Sequence, residues 1–188
     1  MPGDPNVLPG TSMKIRPDSG VDWLRSVMEQ YEGPLLRYAG RILGDVERAR
    51  DVVQETFLRL LKSDRGRSED HLAEWLFTVC RNRALDVYRK ERRMSPLGEL
   101  AERTQRSREP APPAAAELHE QIGQVGRALQ HLPPRQQEIL RLKFQNGFSY
   151  KQIAGITGLS VTNVGFLIHT AIGKLRKRFE AAGLLGEA

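Results

Sequence analysis

"GLSVTNVGFLIHTAIGKLRKRF", from Gly158 to Phe179, decides how the chain is read. It follows "SYKQIAGIT", in which Ser149 and Gln152 have capping-box spacing for a short helix ending near Ile156. Thr157, Gly158 and Leu159 then supply a turn, and Ser160 caps a second helix. Capped helix, glycine turn and capped helix in series predict a helix-turn-helix. Turned at about 100° per residue, the second helix gathers Val161, Val164, Ile168, Ala171, Ile172, Leu175 and Phe179 on one side, the expected core stripe. The opposite side carries Thr162, Asn163, Phe166, Thr170, Gly173 and Lys177, with Ser160, Leu167 and His169 on the flanks. Ser160, Thr162 and Asn163 are suited to base edges, and Phe166 to a thymine methyl. Lys174, Arg176, Lys177 and Arg178 are suited to phosphate, the source of salt-dependent affinity. His169 lacks metal-ligand spacing and is read as a phosphate or packing residue. The alternative is a helical hairpin whose charged end is merely solvated.

Upstream of this motif, Pro133-Pro134 opens a helix that Asn146-Gly147 ends, and a further helix is expected over about 117–130. Residues 117–185 therefore form one helical domain. Composition shifts sharply at 95–116, "SPLGELAERTQRSREPAPPAAA", which is rich in Pro, Ala and charge and reads as a flexible linker. Residues 1–20 have the Pro and Gly content of a disordered tail and no apolar stretch of secretory type, and Met13 is an alternative start.

Between tail and linker, 21–94 forms a second helical domain. Asp22 is expected to cap a helix to about Glu32, Pro34 to open another to Leu43, Asp45 to cap "VERARDVVQETFLRLLK", and Asp70 to cap the long helix that follows. On the helix after Asp45, the expected core stripe is Val46, Ala49, Val53, Phe57 and Leu60. Its reverse carries Asp51, Glu55, Leu58 and Lys62, with Gln54 beside them. An outward leucine among carboxylates and an amide suits the anchor of a protein interface. Asp51 and Glu55 are four residues apart, but no His accompanies them, so a metal site is not expected.

The long helix has three rows. Trp75 and Val79 continue to Asn82 and Asp86; Leu76, Cys80, Ala84 and Val87 form a core row; Arg81, Leu85, Arg89 and Arg92 form a ridge with Phe77 and Tyr88 alongside. Arginines interleaved with aromatics suit unpaired bases, because rings stack on bases and guanidinium groups hold phosphate. The competing reading is an amphipathic helix with a solvated basic face.

The totals agree with a nucleic-acid partner. The chain has 188 residues, 39% of them hydrophobic, and a formal net charge of +6. Cys80 is the one cysteine, which excludes an internal disulfide framework and fits a reducing cytoplasm. No run approaches the roughly 20 apolar residues of a membrane span. A hydrolase or nuclease is disfavoured, since there is no metal cluster, no glycine-rich phosphate loop and no nucleophile–His arrangement.

Taken together, these residues resemble an extracytoplasmic-function (ECF) sigma factor of bacterial RNA polymerase. The likeness rests on "DVVQETFLRLL", "WLFTVCRNRALDVYRKERR" and "LPPRQQEILRLKFQNGFSYKQIAGITGLSVTNV", in that order. It implies an all-α, two-domain protein that is not an enzyme and needs no cofactor. The implied partners are core RNA polymerase, promoter DNA and an anti-sigma factor. Residues 21–94 would be a region 2-like domain that docks on the polymerase through Asp51, Gln54, Glu55 and Leu58. The same domain would recognise the minus-ten element and its melted strand through Trp75, Phe77, Arg81, Asn82, Asp86, Tyr88, Arg89 and Arg92. Residues 117–185 would be a region 4-like domain that reads the minus-thirty-five element through Ser160, Thr162, Asn163, Phe166, His169, Thr170, Lys174, Arg176 and Lys177. The chain departs from the family pattern after Val164, where Gly165, Leu167 and Thr170 stand at positions usually basic. A protein contact at Phe166 and Leu167 is the rival to DNA contact there. The rival for the whole chain is a helix-turn-helix regulator acting on duplex operators without polymerase.

Overall fold

A computed structural model describes residues 20–63, 71–94 and 125–182. Among them every regular element is helical, and the chain divides into two compact units, Met1–Ser107 and Arg108–Ala188. The expected tail (but for Gly20), the linker over 95–116, the cap at Asp70 and the helix start before 125 lie outside the described residues.

The first unit is a three-helix bundle of α1 (Gly20–Leu43), α2 (Val46–Lys62) and α3 (Leu72–Met94), each packed on the other two. The expected break at Pro34 is absent, and α1 runs through it. Proline inside a helix forfeits one backbone hydrogen bond and crowds the preceding turn, at about 3 kcal/mol. The helix survives because its apolar row continues on both sides of Pro34: Val27 before it, and Leu35, Tyr38, Ala39 and Leu43 after it, are all buried.

Gly44 ends α1 with φ 69°, and its N–H donates to the Gly40 carbonyl at 2.8 Å. Asp45 starts α2, accepting from the Arg48 N–H at 3.1 Å. Beyond this short connection α1 and α2 pack against each other. Where they approach, a Cβ on Gly40 would stand 3.9 Å from that of Ala49. The face α2 buries is wider than its expected stripe and shifted from it: Ala49, Val52, Val53, Thr56, Phe57 and Leu60 are inside, whereas Val46 is 53% exposed. Val46 occupies the first position of the helix, beyond the reach of its neighbours. Thr56 is buried without penalty, since its hydroxyl donates to the Val52 carbonyl at 2.8 Å.

The second unit comprises α4 (described over 125–130), α5 (Pro134–Phe144), α6 (Tyr150–Thr157) and α7 (Val161–Ala181). Pro133 and Pro134 open α5 as expected, and Gly147, at φ 71°, makes the turn after it. The Gln137 side-chain amide donates to the Leu132 carbonyl at 2.8 Å, bracing the loop ahead of α5. The capping box forms in both directions: the Gln152 N–H donates to Ser149 Oγ, and the Ser149 N–H to Gln152 Oε1. Gly158 is left-handed at φ 71° and closes α6, and Ser160 Oγ caps α7 by accepting from the Asn163 N–H at 3.2 Å. The chain bends by 104° between α6 and α7, within the range of about 90–120° for a helix-turn-helix. Ile139, Leu142, Ile153, Ile156, Val164, Ile168 and Ala171 form the core. Val161 and Ile172, expected there, are 48% and 38% exposed. No single helix among the described residues is long and apolar enough to cross a membrane.

Candidate functional site

Helix α2 turns Asp51, Gln54, Leu58, Leu61 and Lys62 outward. Leu58 and Leu61 are 55% and 53% exposed. Gln54, Leu58 and Leu61 follow an i, i+4, i+7 progression, so they share one ridge. Leu61 escaped the sequence reading because it adjoins the core residue Leu60; its spacing from Leu58 was the available signal. Glu55, expected among these docking residues, is half-buried and engaged. One carboxylate oxygen accepts from Arg59 of α2 at 2.8 Å, the other from Arg83 of α3 at 2.5 Å. A second ion pair, Arg48 with Glu91, also joins α2 to α3.

Helix α3 buries Leu76, Phe77, Cys80 and Ala84. Phe77 is thus a correction to the nucleic-acid set. It is 2% exposed, and its ring centroid lies 5.2 Å from that of Tyr38. Its position borders the core row, and Tyr38 on α1 extends the core over it. The remaining residues form a surface. Asn82, Asp86, Arg89 and Arg92 are exposed; Trp75, Arg81 and Tyr88 are half-buried. Helical spacing aligns Trp75, Asn82, Asp86 and Arg89 along one outward face. Arg89 donates to Asp86 at 3.4 Å, and the Arg92 guanidinium lies 5.8 Å from the Tyr88 ring centroid. This face therefore offers an amide and a carboxylate–guanidinium pair, while the Tyr88–Arg92 pair lies round toward the flank of the helix. Burial pushes the Cys80 thiol up to about 12, partly opposed by a hydrogen bond with Thr56, so Cys80 is a packing residue rather than a nucleophile.

Helix α7 exposes Ser160, Thr162, Asn163, Phe166, His169, Lys174, Arg176 and Lys177, with Thr170 half-buried. Phe166, at 65% exposure, is the largest apolar group on this face. Ser160 Oγ accepts the capping bond and retains its O–H to donate outward. Lys174 has its Nζ 3.4 Å from Gln136 Oε1 of α5, and with Arg176, Lys177 and Arg178 it makes the end of the helix basic and exposed. Gly165 faces α6, where a Cβ would stand 3.6 Å from the Tyr150 ring; Lys143 lies 5.5 Å from the centroid of the same ring. Among the described residues no group of three or more His, Cys, Asp or Glu side chains is placed to hold a metal ion.

A helix-turn-helix with a polar, aromatic and basic outer face defines a DNA-binding protein. Residues 27–94 match Sigma-70 region 2, and residues 122–175 match Sigma-70, region 4. The ECF RNA polymerase sigma factor EcfG of Rhodopseudomonas palustris is 35% identical over 144 residues, covering 76% of this chain and 77% of the relative. SigL of Mycobacterium tuberculosis, another ECF RNA polymerase sigma factor, is 29% identical over 165 residues, covering 86% and 91%. Among solved structures, sigma factor RpoE of Bartonella quintana, in complex with the anti-sigma factor NepR, superposes with TM-score 0.65 at 23% identity over 85% of this chain and 98% of that one. CnrH, in complex with the cytosolic domain of CnrY, superposes with TM-score 0.56 at 23% identity, covering 87% and 91%.

The chain belongs to the ECF family of RNA polymerase sigma factors. Members act in promoter-directed transcription initiation and are regulatory DNA-binding proteins.

Proposed function

We propose that 21–94 and 117–185 work as separate modules joined by 95–116. In this reading α2 docks on core polymerase through Asp51, Gln54 and Leu58, with Leu61 extending the apolar anchor. The outward face of α3 holds the opened non-template strand. Asn82 and the Asp86–Arg89 pair bond to base edges, Trp75 and the Tyr88–Arg92 pair offer rings and cations for stacking, and Arg81 attracts phosphate. Extruding a base costs a few kcal/mol, which such contacts offset. Helix α7 reads upstream duplex through Ser160, Thr162, Asn163 and Phe166, with Thr170 at the margin; His169, Lys174, Arg176 and Lys177 grip phosphate. Tethering makes the second contact intramolecular, so each module can be weak alone.

One observation carries the reading most: the Asn82 amide, the Asp86–Arg89 pair and the Trp75 ring share the side of α3 opposite its core row. An anti-sigma factor, like the NepR that accompanies RpoE, is the partner we propose for the idle protein in the cytoplasm. Transcription by core polymerase with this chain on a randomised promoter library tests the proposal. Start sites sharing two sequence boxes are expected. Tight binding to specific duplex by the chain alone, with nothing gained from polymerase, would establish the operator-binding regulator instead.

A further inference from the structure

Glu55 and Arg83 sit where two surfaces meet. On α2, Glu55 lies between the outward ridge of Asp51 and Leu58, one turn away on either side, and the buried row of Val52 and Thr56. On α3, Arg83 follows outward Asn82 and precedes buried Ala84. Their side chains are 33% and 39% exposed. The pair closes the seam between α2 and α3, and Arg59 holds the free oxygen of the same carboxylate. Ion pairs this accessible contribute little to stability. What a two-sided carboxylate fixes is alignment: with Arg83 locked, the direction in which α3 presents Asn82 and Asp86 is set relative to the ridge of α2.

We propose that Glu55 is a positioning residue, coupling the polymerase-docking ridge of α2 to the strand-holding face of α3 through Arg83 rather than touching polymerase itself. The inference rests on the assignment of those two surfaces above. Releasing the seam leaves both surfaces chemically intact but lets one turn against the other, so docking persists while capture of the opened strand weakens.

The test uses the full chain with core polymerase, comparing Glu55→Gln, Arg83→Gln and the charge-swapped double variant Glu55→Arg/Arg83→Glu. Three quantities are read: affinity for core, lifetime of the open complex after a competitor challenge, and thermal midpoint of the free protein. Each single variant is expected to keep core affinity and thermal midpoint while shortening open-complex lifetime about fivefold, within the coupling range of contacting charges. The swapped pair is expected to recover part of the lifetime, since an arginine at position 55 regains the partner on α3 but repels Arg59. Loss of core affinity in Glu55→Gln without recovery in the swap would make Glu55 a polymerase contact and overturn the inference. A fall in thermal midpoint with equal losses in docking and lifetime would reduce the pair to a fold-stabilising contact, also overturning it. Asn82→Ala and Arg89→Ala separate the two levels. If they shorten the lifetime and the Glu55 and Arg83 variants do not, only the coupling fails; if they leave it unchanged, the strand-holding assignment fails.

Discussion

Replacing Leu58 by alanine isolates the docking ridge. Leu58 is 55% exposed in the free protein, so about half of its side chain is available for burial against a partner. Full burial of a leucine stabilises by about 1.5–3 kcal/mol, which scales to about 0.8–1.6 kcal/mol for the exposed share. Core polymerase affinity should therefore fall about fourfold to fifteenfold in Leu58→Ala. The fold should not suffer, because the exposed side chain contributes little to the core and alanine is the better helix former. Phe57→Ala, one position away but 5% exposed, supplies the contrast: it should cost about 3–5 kcal/mol of folding stability. Titration of labelled protein with core enzyme gives the affinity, and thermal melting gives the stability. Unchanged affinity with an unchanged melt would remove Leu58 from the interface. A large drop in melting temperature would show that the residue is core, refuting the reasoning from exposure.

Phe166→Ala should weaken discrimination at upstream positions containing thymine, as scored by transcription from a variant promoter set; a uniform loss across all sequences would instead indicate a protein contact. Gly158→Ala should cost about 1–2 kcal/mol of stability, because φ 71° strains any side chain although nothing lies within 4 Å of the added Cβ; an unchanged melt would contradict the left-handed turn. Above pH 9 the unfolded chain releases the Cys80 proton that the folded state keeps until about pH 12. Stability is thus unaffected by this thiol below pH 9 and falls between pH 9 and 12, by up to about 1.4 kcal/mol per pH unit. Tyr31, raised above 10.0 by burial, acts in the same direction, so denaturant titration of Cys80→Ala should flatten only part of that slope; an identical slope would show that Cys80 is not buried.

The helix-turn-helix was legible because its signals are local: Ser149, Gln152, Gly158 and Ser160 each act within four residues, and every one performs the expected bond or turn. The errors lie where a distant partner decides. Pro34 reads as a start because proline usually breaks a helix, yet α1 continues because its two halves pack on one core. Val46 and Val161 fall on the correct side of their helices but in the first turn, where no neighbour covers them. A wheel gives the direction of the buried arc and not its width, so Phe77 at its edge was read as outward until Tyr38 came across from α1. Glu55 bonds Arg83, 28 residues later, a partner to which no local pattern points.

Probing strand opening in the reconstituted holoenzyme tests the central claim most directly. Single-strand-selective oxidation of thymines on a footprinted promoter reports which bases are unpaired, and a photo-cross-linker at position 82 or 89 reports what touches them. The account predicts cross-links from α3 to the reactive segment of the non-template strand, with α7 protecting duplex upstream of it. Cross-links from α3 to duplex alone, or an opened segment that forms equally well without this chain, would contradict it.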